Sequence, residues 1–245
     1  MNLTQNTILI TGGGSGIGLA LAERLHAAGN TILICGRDAA KLQAAAERLP
    51  GLRTLVCDVA QAPERQRLIE WAFSEAPQLN VLLNNAGIQR QVNVVETNEP
   101  WVDTANEIAI NLEAPIHLAM LCIRQWHAQQ HSGPVIINVS SGLGFVPLAR
   151  VPVYSATKAA VHSFTQSLRR QLAGSPARVI EIIPPAVHTE LGGTDHSFGV
   201  PLAEYADDVM RQLATDQLEI TYGFSAKGSQ ASRAELDALF TQLNG

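Results

Sequence analysis

The chain has 245 residues, 46% of them hydrophobic and 16% charged, with 17 Lys and Arg against 22 Asp and Glu for a formal net charge of −5. It is long enough to bury an aliphatic core without a disulfide or metal staple, and too poor in charge and too apolar to be disordered. Its acidic balance argues against nucleic acid or an anionic membrane as its main partner.

Strand and helix signals alternate along the chain. Thr7–Thr11 is a short apolar strand that runs directly into Thr11-Gly-Gly-Gly-Ser-Gly-Ile-Gly18, where a helix begins and continues to Ala28. Glycine allows a sharp turn and close approach of backbone to a ligand, and a helix N-terminus presents N–H groups and positive dipole to a phosphate. Gly12, Gly14, Ser15, Gly16, Ile17 and Gly18 are therefore candidate cofactor contacts at the first strand–helix junction. No Gly-Lys-Ser/Thr follows, so the loop is not a P-loop.

A second strand, Thr31–Cys35, ends in Gly36-Arg37, and a helix is predicted over Ala39–Leu49. A site that prefers NAD usually places an acid on the ribose 2′-hydroxyl at the end of this strand. Here Arg37 can pair with a 2′-phosphate through its planar fork. NADP(H) is therefore favoured; NAD(H) stays open because Asp38 stands next door. Arg53–Cys57 is a third strand and leads into Asp58-Val59 and a helix from Ala62 to Glu75. Val81–Leu83 is a fourth, followed by Asn84-Asn-Ala-Gly87. A long helix is predicted from Glu99 to Gln129, with Asn111 inside it, a poor helix former in such a place. Its most apolar stretch, Ile108–Ile123, contains Asn111, Glu113, Pro115 and His117 and fails as a membrane span.

Val135–Val139 is a fifth strand, followed by Ser140-Ser141 and a helix over Ser155–Leu172; Val179–Ile183 is a sixth. Tyr154 and Lys158 are four residues apart, hence on one helix face about one turn apart. A phenol has a pKa near 10, and a nearby ammonium is expected to lower it into a useful acid/base range. After Pro184 the alternation weakens. Residues 186–201 read as a mobile substrate loop, Leu202–Leu213 as a helix, Glu219–Tyr222 as a strand, and Ser232–Leu243 as a helical tail.

Apolar, β-branched strands alternating with helices imply an α/β fold: a doubly wound, mostly parallel Rossmann-type sheet with helices on both faces. No linker or repeat divides residues 1–245, so one domain is expected. Cys35, Cys57 and Cys122 lack CxxC spacing and read as buried free thiols. With Met1–Gly14 unlike a signal peptide, a cytoplasmic location is expected. No HExxH or paired His spacing supports a metal.

Taken together, the chain resembles the short-chain dehydrogenase/reductase family over almost its full length. The resemblance rests on Thr11-Gly-x-x-x-Gly-x-Gly18, Asp58-Val59, Asn84-Asn-Ala-Gly87, Asn111, Ser141 and Tyr154-x-x-x-Lys158, in the family's order. It implies an oxidoreductase that moves a hydride between a nicotinamide cofactor and a carbonyl or alcohol. Tyr154 would be the acid/base, Lys158 would bind the nicotinamide ribose and lower the tyrosine pKa, and Ser141 would hold the substrate oxygen. Asn111 would hold a relay water. Asp58 and Val59 would meet the adenine, and Asn84, Ala86 and Gly87 would form the turn beside its ribose and stabilise the sheet. Pro184, Val187 and Thr189 would line the nicotinamide. Leu143, Phe145, Pro185 and Ala186 would meet the substrate.

In the family the long helix and the Tyr154 helix often pair with their copies, so a homodimer or homotetramer is expected. Two departures stand out: Pro184-Pro185 replaces the usual Pro-Gly, and the tail reads Tyr222-Gly-Phe-Ser-Ala-Lys-Gly228. Both resemble the branch named after the oxidoreductase of D-alanyl-lipoteichoic-acid operons. An NAD(P)-binding sensor or scaffold with little turnover is the alternative, since a fold alone does not prove activity. The complete Asn111, Ser141, Tyr154 and Lys158 set argues against it, and the Tyr–Lys pair against a methyltransferase-like nucleoside binder.

Overall fold

The computed structural model describes residues 1–96, 100–191 and 199–245. Seven strands lie in one sheet: β1 Thr7–Thr11, β2 Thr31–Gly36, β3 Arg53–Val56, β4 Val81–Asn84, β5 Val135–Val139, β6 Arg178–Ile183 and β7 Glu219–Thr221. Every neighbouring pair is parallel, in the order β3-β2-β1-β4-β5-β6-β7. Parallel strands need long crossovers. Helices supply them: α1 Gly16–Ala27, α2 Ala39–Arg48, α3 Ala62–Glu75, α4 Trp101–Ile108, α5 Ala114–Ala128, α6 Pro152–Gln171 and α7 Leu202–Leu213, with α8 Phe224–Gln230 and α9 Arg233–Asn244 after the last strand.

The two-residue alternation of each strand builds two cores. Ile8, Ile10, Ile32 and Ile34 face α1, α2 and α7, burying Leu21, Leu42 and Val209 with them. Leu9, Leu33, Leu82 and Ile136 face the other side with Leu68 of α3, Leu118 and Trp126 of α5, and Leu168 of α6. The strands are covered on both faces, which explains their unbroken apolar runs. The three cysteines are free and buried. Among the described residues no helix is long and apolar enough to cross a membrane.

Chain direction across the sheet reverses between β1 and β4. The crevice beyond the carboxyl ends of strands at such a switch is where ligands bind in open α/β sheets. Both the glycine loop after β1 and the Asn85–Gly87 turn after β4 open there.

Three elements differ from the sequence prediction. The helix predicted from Glu99 to Gln129 is interrupted: α4 gives way to a π turn over Ala109–Glu113 before α5; Glu99 itself lies outside the described residues. The cause is legible in Pro115, which has no N–H to return to the carbonyl of Asn111 four residues earlier. The Ala114 N–H instead reaches back five residues to the Ala109 carbonyl. Helix α6 starts at Pro152, not Ser155, so Tyr154 stands in its first turn. Helix α8 was not anticipated. Of the predicted 186–201 loop, residues 192–198 lie outside the described residues; its ends pair as a bridge between Val187 and Val200.

Candidate active site

The glycine loop is shaped by contacts a side chain would destroy. Gly12 has φ +65°, and a Cβ there would meet the Ala86 Cα at 2.9 Å; one on Gly18 would meet the Asn85 Nδ2 at 2.4 Å. Asn85 is the reason for the second clash. Its Nδ2 donates to the carbonyls of Thr11 and Gly12 at 2.9 and 3.2 Å, while the Thr11 Oγ1 accepts from the N–H groups of Asn85 and Ala86 at 3.0 Å each. Thr11 and Asn85 thus clamp the ends of β1 and β4 together. Neither was named as a site residue from the sequence, although both stand inside the motifs.

A cleft of about 410 Å³ opens over this loop. Its walls include Gly12, Gly14, Ser15, Arg37, Asp58 and Val59, with Ala86 and Gly87 from the turn after β4. Arg37 is exposed at the end of β2. Asp38, the acid beside it, caps α2: its Oδ1 accepts from the N–H groups of Ala40 and Lys41 at 2.9 and 3.1 Å. The Asp58 Oδ1 accepts from the Ala60 N–H at 3.1 Å and shapes the turn after β3. Thr189 lies across the loop, where a Cβ on Gly16 would come within 3.5 Å of its Cγ2.

Asn84 takes the sheet-stabilising part of the role expected of its motif. Its side chain is buried and donates to the Asn138 Oδ1 at 2.9 Å and the Pro115 carbonyl at 3.3 Å. Asn138 in turn donates to Thr165 of α6 at 2.9 Å. Asn84 is therefore the sheet-stabilising member of its motif, and Ala86 and Gly87 are the members at the cleft.

Gly87 joins the cleft to Asn111 and Lys158. A Cβ on it would stand 3.4 Å from the Asn111 Oδ1 and 3.6 Å from the Lys158 Nζ. Lys158 is buried and donates to the Val139 carbonyl at 2.8 Å, with its nitrogen 5.5 Å from the centre of the Tyr154 ring. Ser141 caps the short turn Gly142–Gly144, its Oγ accepting from the Leu143 N–H at 3.1 Å. That turn is held from below by the chain's unusual tail. The fully buried Ser225 of α8 donates to the Ile183 carbonyl at 2.5 Å, and a Cβ on Gly142 would meet the Ser225 Cβ at 3.2 Å. The Gly142 N–H donates to the Pro184 carbonyl at 2.8 Å, tying Ser141 to the Pro184-Pro185 segment.

The electrostatics run opposite to the expected lowering of the tyrosine pKa. Burial pushes Tyr154 up to about 12, with Ser141 drawing it partway back and Glu107 adding to the rise. Burial pushes Lys158 down to about 8, against the attraction of Glu181. For each group loss of water is the largest influence, and it disfavours the charged form of both. Glu107, fully buried on α4, is itself raised by burial.

Asn111 uses its side chain on the main chain of Ile88, accepting from its N–H at 2.9 Å and donating to its carbonyl at 2.8 Å. Phe145, expected at the substrate, instead packs its ring on His162 with centres 4.5 Å apart. Nor did the sequence point to His162, Glu181 and Glu219, whose ligand-type atoms lie within 4.8 Å of one another. They form ion pairs between α6 and the sheet: His162 with Glu181 at 2.9 Å and Arg169 with Glu219 at 3.3 Å.

The family model for short chain dehydrogenases matches residues 6–197. The chain belongs to the short-chain dehydrogenase family. This short-chain dehydrogenase is 43% identical over 250 aligned positions to the uncharacterised oxidoreductase DltE of Bacillus subtilis (strain 168), covering 100% of this chain and 98% of that one. The resemblance of the chain to that branch is thereby borne out. Among solved structures it is similar to a short-chain dehydrogenase from Sphingobium yanoikuyae in complex with NADPH (TM-score 0.81, 27% identity, 97% of this chain and 93% of that one). A short-chain dehydrogenase from Burkholderia cenocepacia J2315 in complex with NADP gives a TM-score of 0.84 at 25% identity over 99% of both chains. A 3-ketoacyl-(acyl-carrier-protein) reductase from Brucella melitensis complexed with NADH gives 0.72 at 28% identity over 78% and 79%. The chain is an NAD(P)-dependent oxidoreductase of this family.

Proposed function

We propose that the chain moves a hydride between NADP(H) and a small carbonyl/alcohol substrate, with Tyr154 as acid/base. One observation carries this reading: the Lys158 amine stands both at the Gly87 wall of the dinucleotide cleft and beside the Tyr154 ring. The residues present fit such a cofactor. The glycine loop leaves backbone N–H groups bare beside a helix N-terminus, which suits a pyrophosphate. Asp58, Val59, Ala86 and Gly87 would hold the adenosine, and Lys158, Pro184, Val187 and Thr189 the nicotinamide end. Arg37 favours the 2′-phosphate, and the rival acid Asp38 is engaged as the cap of α2. When bound, the nicotinamide supplies or accepts the hydride.

The chain's own residues handle the proton. Tyr154 gives it to a carbonyl oxygen in reduction and takes it from an alcohol in oxidation. Ser141 already accepts from Leu143, so its hydroxyl proton is the part that can donate to the substrate oxygen. Both polar atoms of the Asn111 side chain are engaged by Ile88. A relay water would therefore rest on the Asn111 carbonyl, whose usual helical donor Pro115 cannot supply. A tyrosine held near 12 stays protonated at neutral pH, which suits reduction, and oxidation should rise with pH. Leu143, Pro185 and Ala186 offer the substrate an apolar surface.

Replacing Tyr154→Phe tests the mechanism. On any carbonyl found by a substrate panel with NADPH, turnover should fall by about 10²–10⁴-fold, the range for a lost general acid, while NADPH binding persists. Turnover equal to that of the parent would overturn the reading.

A further inference from the structure

Lys41 lies in the first turn of α2, against the glycine loop: a Cβ on Gly14 would come within 3.4 Å of its Cβ. It lines the cleft that holds Arg37. It also lines a neighbouring cleft of about 360 Å³, together with Thr189 and Glu190. Its Nζ donates to the Glu190 Oε2 at 2.6 Å, bridging α2 to the segment after β6. The two side chains are 43% and 71% exposed. An ion pair so open to water is weakly held and readily exchanges partners.

The charged residues lining the Arg37 cleft are thus Arg37, Lys41, Asp38 and Asp58, and Glu190 reaches Lys41 from the neighbouring cleft, which Arg48 also lines. Asp38 is committed to the amides of α2. Glu190 is engaged by the very cation that an incoming anion would seek.

We propose that Lys41 and Glu190 set how strongly a 2′-phosphorylated dinucleotide is held: Lys41 leaves Glu190 for the phosphate, and Glu190 opposes the exchange. This rests on the reading that Arg37 receives the 2′-phosphate. A phosphate monoester carries nearly twice the charge of a carboxylate and three acceptor oxygens, so it outbids Glu190 for the amine. It must do so beside a carboxylate that repels it. A dinucleotide lacking that phosphate offers Lys41 nothing better than Glu190, and the ion pair persists. The pair therefore discriminates between the two cofactors, whereas the glycine loop serves both alike.

Titrations of NADPH and NADH against the parent, Arg37→Ala, Lys41→Met and Glu190→Gln test this without a substrate. All three positions are exposed, so the variants should fold. The parent should prefer NADPH. Lys41→Met should weaken NADPH by about five- to tenfold, the scale of one charge-assisted contact near the surface, and leave NADH unchanged. Glu190→Gln should tighten NADPH and leave NADH unchanged. Added salt should shrink both effects. If Lys41→Met weakens both cofactors alike, or Glu190→Gln weakens NADPH, the proposal is overturned. A preference lost in Arg37→Ala but untouched in the other two variants overturns this proposal alone. A parent that binds NADPH and NADH equally overturns the Arg37 reading and this one with it.

Discussion

Lys158 is an amine with 3% of its surface exposed, placed where charge is costly. Its folded pKa near 8 lies below the ordinary lysine value of 10.5. Between those values the unfolded chain binds more protons than the folded one, so this residue makes stability rise with pH across that window. Lys158→Met should remove that slope. By urea unfolding, the variant's stability relative to the parent should be greatest near pH 7 and fall by on the order of 3 kcal/mol toward pH 10.5. A pH-independent difference would show that burial does not govern this amine. Tyr154 works in the opposite sense. Its folded value near 12 lies above the ordinary 10, so its contribution is present below pH 10 and is lost as pH rises toward 12.

At the scale of elements, one residue reorganises a helix. Pro115 leaves the Asn111 carbonyl without its usual donor, and the π turn over Ala109–Glu113 is the result. That turn lets Asn111 reach the main chain of Ile88, next to Gly87 and hence next to Lys158. The packing of the glycine loop is equally unforgiving. Gly18→Ala would drive a methyl to within 2.4 Å of Asn85 Nδ2 and 2.5 Å of the Gly12 carbonyl, and both belong to the clamp that shapes the cleft. Overpacking of this kind costs about 1–3 kcal/mol. Thermal unfolding should show a lowered midpoint, and NADPH affinity should drop as well. A variant with unchanged midpoint and affinity would mean that Asn85 is free to move aside. The tail acts at the same scale: α8 seats Ser225 under the Ser141 turn, so the unusual ending supports the turn proposed to carry Ser141 to the substrate.

Across the whole molecule, the two faces of the sheet are covered by helices, yet large apolar side chains stay exposed at several places among the described residues. Trp101 and Val102 at the start of α4 are 72% and 67% exposed, and Met120 of α5 is also exposed. These belong to the long helical segment that the family resemblance expects to pair with a second copy of the chain, so their exposure is what that expectation predicts for a lone protomer. Light scattering should give the mass of a dimer or tetramer, and Trp101→Glu should reduce it to a monomer. A monomeric parent would overturn this expectation.

Much was legible in the linear chain because the physics was local. Strand runs, the glycine loop and the four-residue spacing of Tyr154 and Lys158 are properties of neighbouring residues; they determined the fold class and the order of elements, and they carried the resemblance from which the catalytic set is proposed. Pro115 also carried the signal for the π turn, although the apolar periodicity around it masked the break. Other features depend on residues distant in sequence meeting in space. Only the tertiary structure decided which partners Asn84 binds across the sheet, that Asp38 is occupied as a cap, and that Asn85 locks the glycine loop. It also decided the direction of the tyrosine and lysine pKa values, since burial is a property of the surroundings and not of spacing. The contact of Lys41 with Glu190 spans 149 positions of the chain, and no periodicity or motif connects them. What the residues are and how they repeat set the scaffold and its chemistry; which charge faces which is settled only when the chain folds.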